Sequence, residues 1–112
     1  MIEVTLRNYL LENLNNIPVL FEKPKTKPEK FVLIRQIDAG RINQISAVTF
    51  SFTSYAQSYY DAKVLSDTVK ELLFGSVSLS DISSAKLGGQ NGGINSAEST
   101  YEYELIFNFY HY

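Results

Sequence analysis

The spacing of apolar residues along this chain alternates between helical and extended periods, and each change marks an element. Ile2, Leu6, Tyr9, Leu10 and Leu14 share one helical face, which predicts an amphipathic helix over residues 2–15. Asn15-Asn16 and Pro18 close it, because asparagine tolerates a left-handed cap and proline cannot continue the hydrogen bonding. Val19-Leu20-Phe21 opens a short strand, and residues 31–38 predict a second. Its run Phe31-Val32-Leu33-Ile34 is apolar on both faces, the mark of a strand covered on two sides. Between these strands, residues 23–30 carry Pro24 and Pro28 among lysines and read as a stiff, solvated connection.

Ala39-Gly40-Arg41 predicts a turn into a third strand, in which Val48, Phe50 and Phe52 face the core and Thr49, Ser51 and Thr53 face water. Residues 41–46 read as an extended hairpin tip. The strand then hands over directly to a helix through Ser54-Tyr55-Ala56-Gln57-Ser58. Ser58 is placed to cap that helix with Asp61 three residues on, and Ala62, Leu65, Val69, Leu72 and Leu73 form its apolar stripe. Gly75 is the expected stop. Residues 76–99 read as a long loop, held only by Val77, Leu79, Ile82, Leu87 and Ile94, with Gly88-Gly89-Gln90-Asn91-Gly92-Gly93 as a segment of little conformational preference. The chain closes on an alternating strand from Tyr101 to Tyr112, with Tyr101, Tyr103, Leu105, Phe107 and Phe109 inward. The expectation is an α+β fold in one domain, residues 1–112: a small mixed or antiparallel sheet of about four to five strands packed by two helices, in the order α-β-β-β-α-β.

Composition sharpens this picture. Hydrophobic residues are 45% of the chain, enough for a core, yet a 112-residue domain is small and gains from oligomeric contacts. Eight Tyr and seven Phe with no Trp suit strands and surfaces that alternate between water and a partner. The net charge of −2 supplies no general attraction for nucleic acid or acidic lipid. With no cysteine there is no disulfide, thiolate metal site or cysteine nucleophile. Met1-Ile2-Glu3-Val4 has neither a basic nor an apolar leader region, so no secretory signal is expected, and no apolar run reaches the length of a membrane span.

Candidate chemistry is sparse. His111 is the sole histidine, so a triad or a histidine base would rest on it alone. Glu102 and Glu104 share one strand face and read as solvated. The glycine-rich segment lacks the Lys and Ser/Thr that end a phosphate-binding loop. Lys23, Lys25, Lys27 and Lys30, with Phe50, Phe52 or Tyr103 as stacking rings, define an alternative in which the chain is a single-stranded nucleic-acid-binding module. On these residues the chain reads as a non-enzyme, with no catalytic, cofactor or metal site.

Pro24, Pro28, Phe31-Val32-Leu33-Ile34, the Asp38-Ala39-Gly40 turn and Val48-Thr49-Phe50 carry a resemblance that continues through Ser54-Tyr55-Ala56, Ser58, Ala62 and Leu65 to Tyr101. In this order of elements the chain resembles the tail terminator proteins of long-tailed bacteriophages, also called tail completion or tail-to-head joining proteins. The resemblance implies a homo-oligomeric ring, commonly a hexamer, that caps the tail tube and joins it to the head connector. It implies as partners the chain itself, the tail tube protein and the head connector protein, with DNA only as passing cargo and no membrane. A virion location follows, after assembly in the bacterial host cytoplasm. Another neck or head–tail connector ring subunit is the neighbouring possibility. Within this frame Arg41, Asn43, Gln44, Gln90, Asn91 and Asn95 are the candidate assembly-interface residues, all expected in loops.

Overall fold

Leu6 and Leu10 lie on one side of the first helix, α1 (Ile2–Asn13), and both are buried, as is Leu14 just past its end. The helix ends as its sequence predicts, with Asn15 in the left-handed region at φ 46° and the Ile17 amide donating to the Leu14 carbonyl over 3.2 Å. The computed structural model describes residues 2–15, 17–22, 30–42, 45–76, 79, 82–95 and 100–111. The lysine- and proline-rich connection, apart from Lys30, lies outside them.

The second helix, α2 (Tyr59–Gly75), starts where Ser58 predicts: its hydroxyl oxygen accepts the Asp61 amide over 3.1 Å. Its end is corrected by one residue. Gly75 is the last helical residue, and Ser76 caps in the right-handed region by directing both its amide and its hydroxyl at the Leu73 carbonyl, the latter over 2.6 Å. A cap that satisfies the carbonyl this way has no need of a left-handed glycine.

Five strands form one mixed sheet: β1 (Val19–Leu20), β2 (Phe31–Ile42), β3 (Ile45–Ala56), β4 (Ile82–Asn95) and β5 (Thr100–His111), in the spatial order β1-β2-β3-β5-β4. β1 runs parallel to β2 and the remaining pairs are antiparallel. The chain is therefore an α+β protein of two helices and a five-stranded mixed sheet, and the elements of the expected order α-β-β-β-α-β are present. The last strand pairs on both sides, lying between β3 and β4.

Three expectations are overturned. The loop expected over residues 76–99 contains β4, fourteen residues paired with β5 from Ile82 to Asn95. Its backbone hydrogen bonds to a strongly apolar neighbour outweigh the weak strand preference of Ser, Gly and Asn. The turn expected at Ala39-Gly40-Arg41 is instead strand: these residues face Val48, Ala47 and Ser46 in β3, and pairing runs on to Ile42 opposite Ile45. Finally, Ser51 and Thr53 are buried, not wet. β3 is the middle strand, so its short polar side chains sit between Arg35 and Ile106 for Ser51, and Leu33 and Glu104 for Thr53.

Both helices pack on one face of the sheet. Leu6, Leu10, Leu65, Val69 and Leu73 meet Val32, Ile34, Phe50, Phe52, Leu105, Phe107 and Phe109 in a single core. At its centre the rings of Phe50, Phe52, Phe107 and Phe109 have centroids 5.9–6.3 Å apart, mostly edge to face, the arrangement their quadrupoles favour. A smaller cluster of Phe31, Leu33 and Tyr55, with Leu20 against it, occupies one end of the opposite face, where Phe31 and Tyr55 stack at 4.5 Å.

Two bonds tie the helices to the rest. The Tyr9 hydroxyl donates to the Leu72 carbonyl over 2.8 Å, joining α1 to the last turn of α2. Arg7 Nε donates to the Val19 carbonyl over 2.8 Å and its guanidinium lies over the Phe21 ring, fixing β1 beneath α1. The molecule extends 44 × 24 × 24 Å. Its twelve-residue strands reach about 40 Å while α2 spans about 26 Å, so the sheet outruns its helices. The β2–β3 hairpin closes at one end, beside His111, and the β4–β5 hairpin at the other, beyond Ala56.

Candidate assembly surfaces

The four candidate residues that are described fall on two opposite sides of the sheet. Arg41 lies in β2 opposite Ser46, close to the hairpin end, and Asn43 and Gln44 lie outside the described residues. Gln90, Asn91 and Asn95 are strand residues, not loop residues as expected, and pair with Leu105, Glu104 and Thr100. Their place in β4 follows from the same pairing with β5 that makes the glycine-rich segment extended. They therefore mark a sheet edge.

That edge is shaped by its glycines. At Gly92 a Cβ atom would stand 2.8 and 2.9 Å from the Tyr103 ring carbons and 3.0 Å from the Tyr59 hydroxyl, so the ring lies over the bare backbone. Tyr103 meets Tyr59 edge to face at 6.3 Å and has the Lys63 ammonium 5.0 Å above its centroid. Gly88, at a register shift, leaves room for the Asn108 amide, and the Thr49 hydroxyl donates to Asn108 Oδ1 over 2.7 Å. At Gly89 the space is open.

The opposite edge belongs to β2. β1 covers it only at Val32 and Leu33, so among the described residues β2 has no neighbour on that side from residue 35 to Ile42. A bulge at Ile37 interrupts the register with β3, and the Ile37 side chain is 55% exposed. Where β1 stops, a groove of about 330 Å³ opens between α1 and the strand edge, lined by Glu3, Phe21, Ile34, Arg35, Gln36 and Phe50. Ile37 and this groove were missed in the sequence. The available signal was the break in alternation after Ile34, where Arg35-Gln36 is followed by an isolated isoleucine.

A second groove, about 200 Å³, runs between the end of α1 and the start of α2, with Leu14, Ile17, Val64 and Leu65 as its apolar wall and Lys30 and Asp61 at its rim. Nearby, Tyr60 is 75% exposed and Tyr59 and Val64 are also exposed, a small apolar patch at the entry of α2.

The groups considered for chemistry are dispersed. His111 ends β5 between Ser46 and Ile82, while Glu102 and Glu104 lie toward the other end of that strand. No group of three or more His, Cys, Asp or Glu able to hold a metal ion occurs among the described residues. The rings proposed for base stacking are core residues: Phe50 and Phe52 are fully buried and Tyr103 is buried at the sheet surface. No described helix is long and apolar enough to cross a membrane. What these surfaces offer is backbone donors and acceptors along two edges, with a groove of mixed polar and apolar lining beside one of them. The sequence matches no protein-family model and no curated protein.

Proposed function

We propose that this protein is a ring-forming structural subunit of the tail terminator type, which caps a completed phage tail tube and joins it to the head connector. The observation that carries the reading is the placement of two hairpins at opposite ends of a long sheet whose β4 edge, and whose β2 edge beyond β1, have no strand neighbour among the described residues. A ring subunit in a neck has four neighbours: a copy on each side, the tube below and the connector above. Open edges serve the lateral contacts, which must be heterologous because each copy presents two different patches to its neighbours. The β2–β3 and β4–β5 hairpins serve the axial ones. The order of elements agrees with the resemblance carried by Phe31-Val32-Leu33-Ile34 and the Ser54-Tyr55-Ala56 junction.

The nucleic-acid reading loses Phe50 and Phe52, two of its stacking rings, to the core. The direct test is to add the purified protein to tail tubes assembled in vitro. Capping of one tube end with arrest of elongation is the expected result, and absence of any association with tubes refutes the terminator role. Electron microscopy of particles made without the protein separates it from a connector ring: overlong or unjoined tails support the terminator, and full heads that leak support the connector.

A further inference from the structure

We infer that β4 is a detachable strand: it lifts off β5 as a unit while the helices and the other four strands stay folded, and Tyr59 is the clasp that holds it down. The property belongs to a single copy of the chain and does not rest on the ring reading.

β4 is weakly anchored for its length. It is an edge strand with β5 as its one strand neighbour among the described residues. Of its described side chains only Ile82 is buried, while Ala85 and Leu87 are partly buried against the core and Lys86 and Gln90 are exposed. Its neighbour is the opposite case: β5 commits Tyr103, Leu105, Phe107 and Phe109 to the main core. Departure of β4 therefore takes one buried side chain out of that core and leaves the packing of β5 on β3 in place. Register shifts between Ile82 and Ser84 and between Leu87 and Gly89 interrupt the ladder twice. Gly88, Gly89, Gly92 and Gly93 regain more backbone freedom on release than any other residue type would. Few buried apolar contacts and a single paired side are the features of a segment that opens at a lower free energy than the whole fold.

The clasp is local. Beyond Gly89 the pairing with β5 is regular, and there the start of α2 reaches over the strand. The Tyr59 hydroxyl lies 3.0 Å from where a Cβ of Gly92 would stand, beside the Tyr103 ring carbons at 2.8 and 2.9 Å. Tyr59 meets Tyr103 edge to face and is itself 45% exposed, so it presses on β4 from outside the core. Once β4 is released, β5 becomes an edge of a four-stranded sheet.

The ladder geometry supplies the test. The Val32 amide donates to the Pro18 carbonyl over 2.9 Å, so even-numbered residues at this end of β2 turn their backbone groups toward β1 and odd-numbered ones toward β3. Carried through the pairs Leu33–Thr53, Phe52–Leu105 and Glu104–Asn91, this directs the amides of Tyr103 and Leu105 at β3 and those of Glu102 and Glu104 at β4. The experiment is hydrogen–deuterium exchange on the native chain at low concentration, read residue by residue, in water and in low urea. The Glu102 and Glu104 amides should exchange about tenfold faster or more than those of Tyr103 and Leu105, although the four alternate along one strand. Urea should speed the Tyr103 and Leu105 amides steeply and the other two hardly at all, since the loss of one strand exposes little surface. Equal or slower exchange at Glu102 and Glu104, or parallel urea slopes for the two sets, overturns the inference, because β4 would then leave only with the whole fold. Tyr59→Ala should speed the Glu102 and Glu104 amides about fivefold, and unchanged rates there overturn the clasp.

Discussion

Alanine substitutions at Gly92 and Gly89, three residues apart, should have opposite effects, and the difference tests whether residues 82–95 are a packed strand. At Gly92 the new methyl would stand 2.8 and 2.9 Å from Tyr103 ring carbons, against an ordinary contact of about 3.5–4.0 Å. The ring must shift by several tenths of an ångström, and it is held by Tyr59 at 6.3 Å and by Lys63 above its face. Overpacking of this kind costs about 1–3 kcal/mol, offset by about 0.4–1 kcal/mol from the reduced freedom of the unfolded chain. The net expectation for Gly92→Ala is a loss of about 1 kcal/mol, or roughly 4 °C in Tm. At Gly89 nothing lies within 4 Å of the added atom, so only the entropic gain remains and Gly89→Ala should stabilise by about 0.4–1 kcal/mol. Urea unfolding followed by circular dichroism, with both variants and the native chain at one low concentration, measures the two directly. In a glycine-rich loop with no fixed neighbours the two substitutions would act alike. Equal shifts, or stabilisation by Gly92→Ala, would refute the strand packing. Truncating the ring by Tyr103→Leu should remove most of the penalty at Gly92, since the clash is with that ring.

Three further outcomes are expected from the same measurements. Tyr9→Phe should lose about 0.5–1.5 kcal/mol, because it removes the 2.8 Å bond to the Leu72 carbonyl while keeping the ring; an unchanged midpoint would show that the bond contributes nothing. Ser58→Ala should cost about 1 kcal/mol by leaving the Asp61 amide without its cap, with Ser58→Asp recovering most of the loss. The Ser66 hydroxyl is buried in α2 with no hydrogen-bond partner among the described residues, so Ser66→Ala should be neutral or stabilise by up to about 1 kcal/mol, and a loss above about 0.5 kcal/mol would point to a hidden partner.

The helices and the last strand were legible because their signals are local and redundant. Ser58 and Asp61 fix the start of α2, its apolar stripe fixes the buried face, and the alternation from Tyr103 to Phe109 fixes the inward side of β5. The stripe was incomplete in one respect: Ser66 is also buried beside Leu65 and Val69. β4 was not legible. Ser, Gly and Asn carry no strand periodicity, and what makes them extended is the backbone of β5 together with the Tyr103 ring over Gly92. The length of the β2–β3 hairpin was hidden for a related reason. Ala39-Gly40 has the composition of a turn, yet continued pairing with Val48 and Ala47 carries the strands further.

The candidate surfaces followed the same rule. Arg41 and Gln90 are expected in loops from the sequence, and both lie in strands. The open stretch of β2 depends on how short β1 is, a tertiary fact that no window of sequence contains. The groove lined by Glu3, Phe21, Ile34 and Phe50 brings together four separate segments, so only the fold reveals it.

Native mass spectrometry of the unmodified chain, from nanomolar to tens of micromolar, tests self-assembly through faces of different kinds most directly. One closed species of fixed subunit number, formed cooperatively at the expense of monomer, is the predicted outcome. A monomer that persists across the whole series would contradict it.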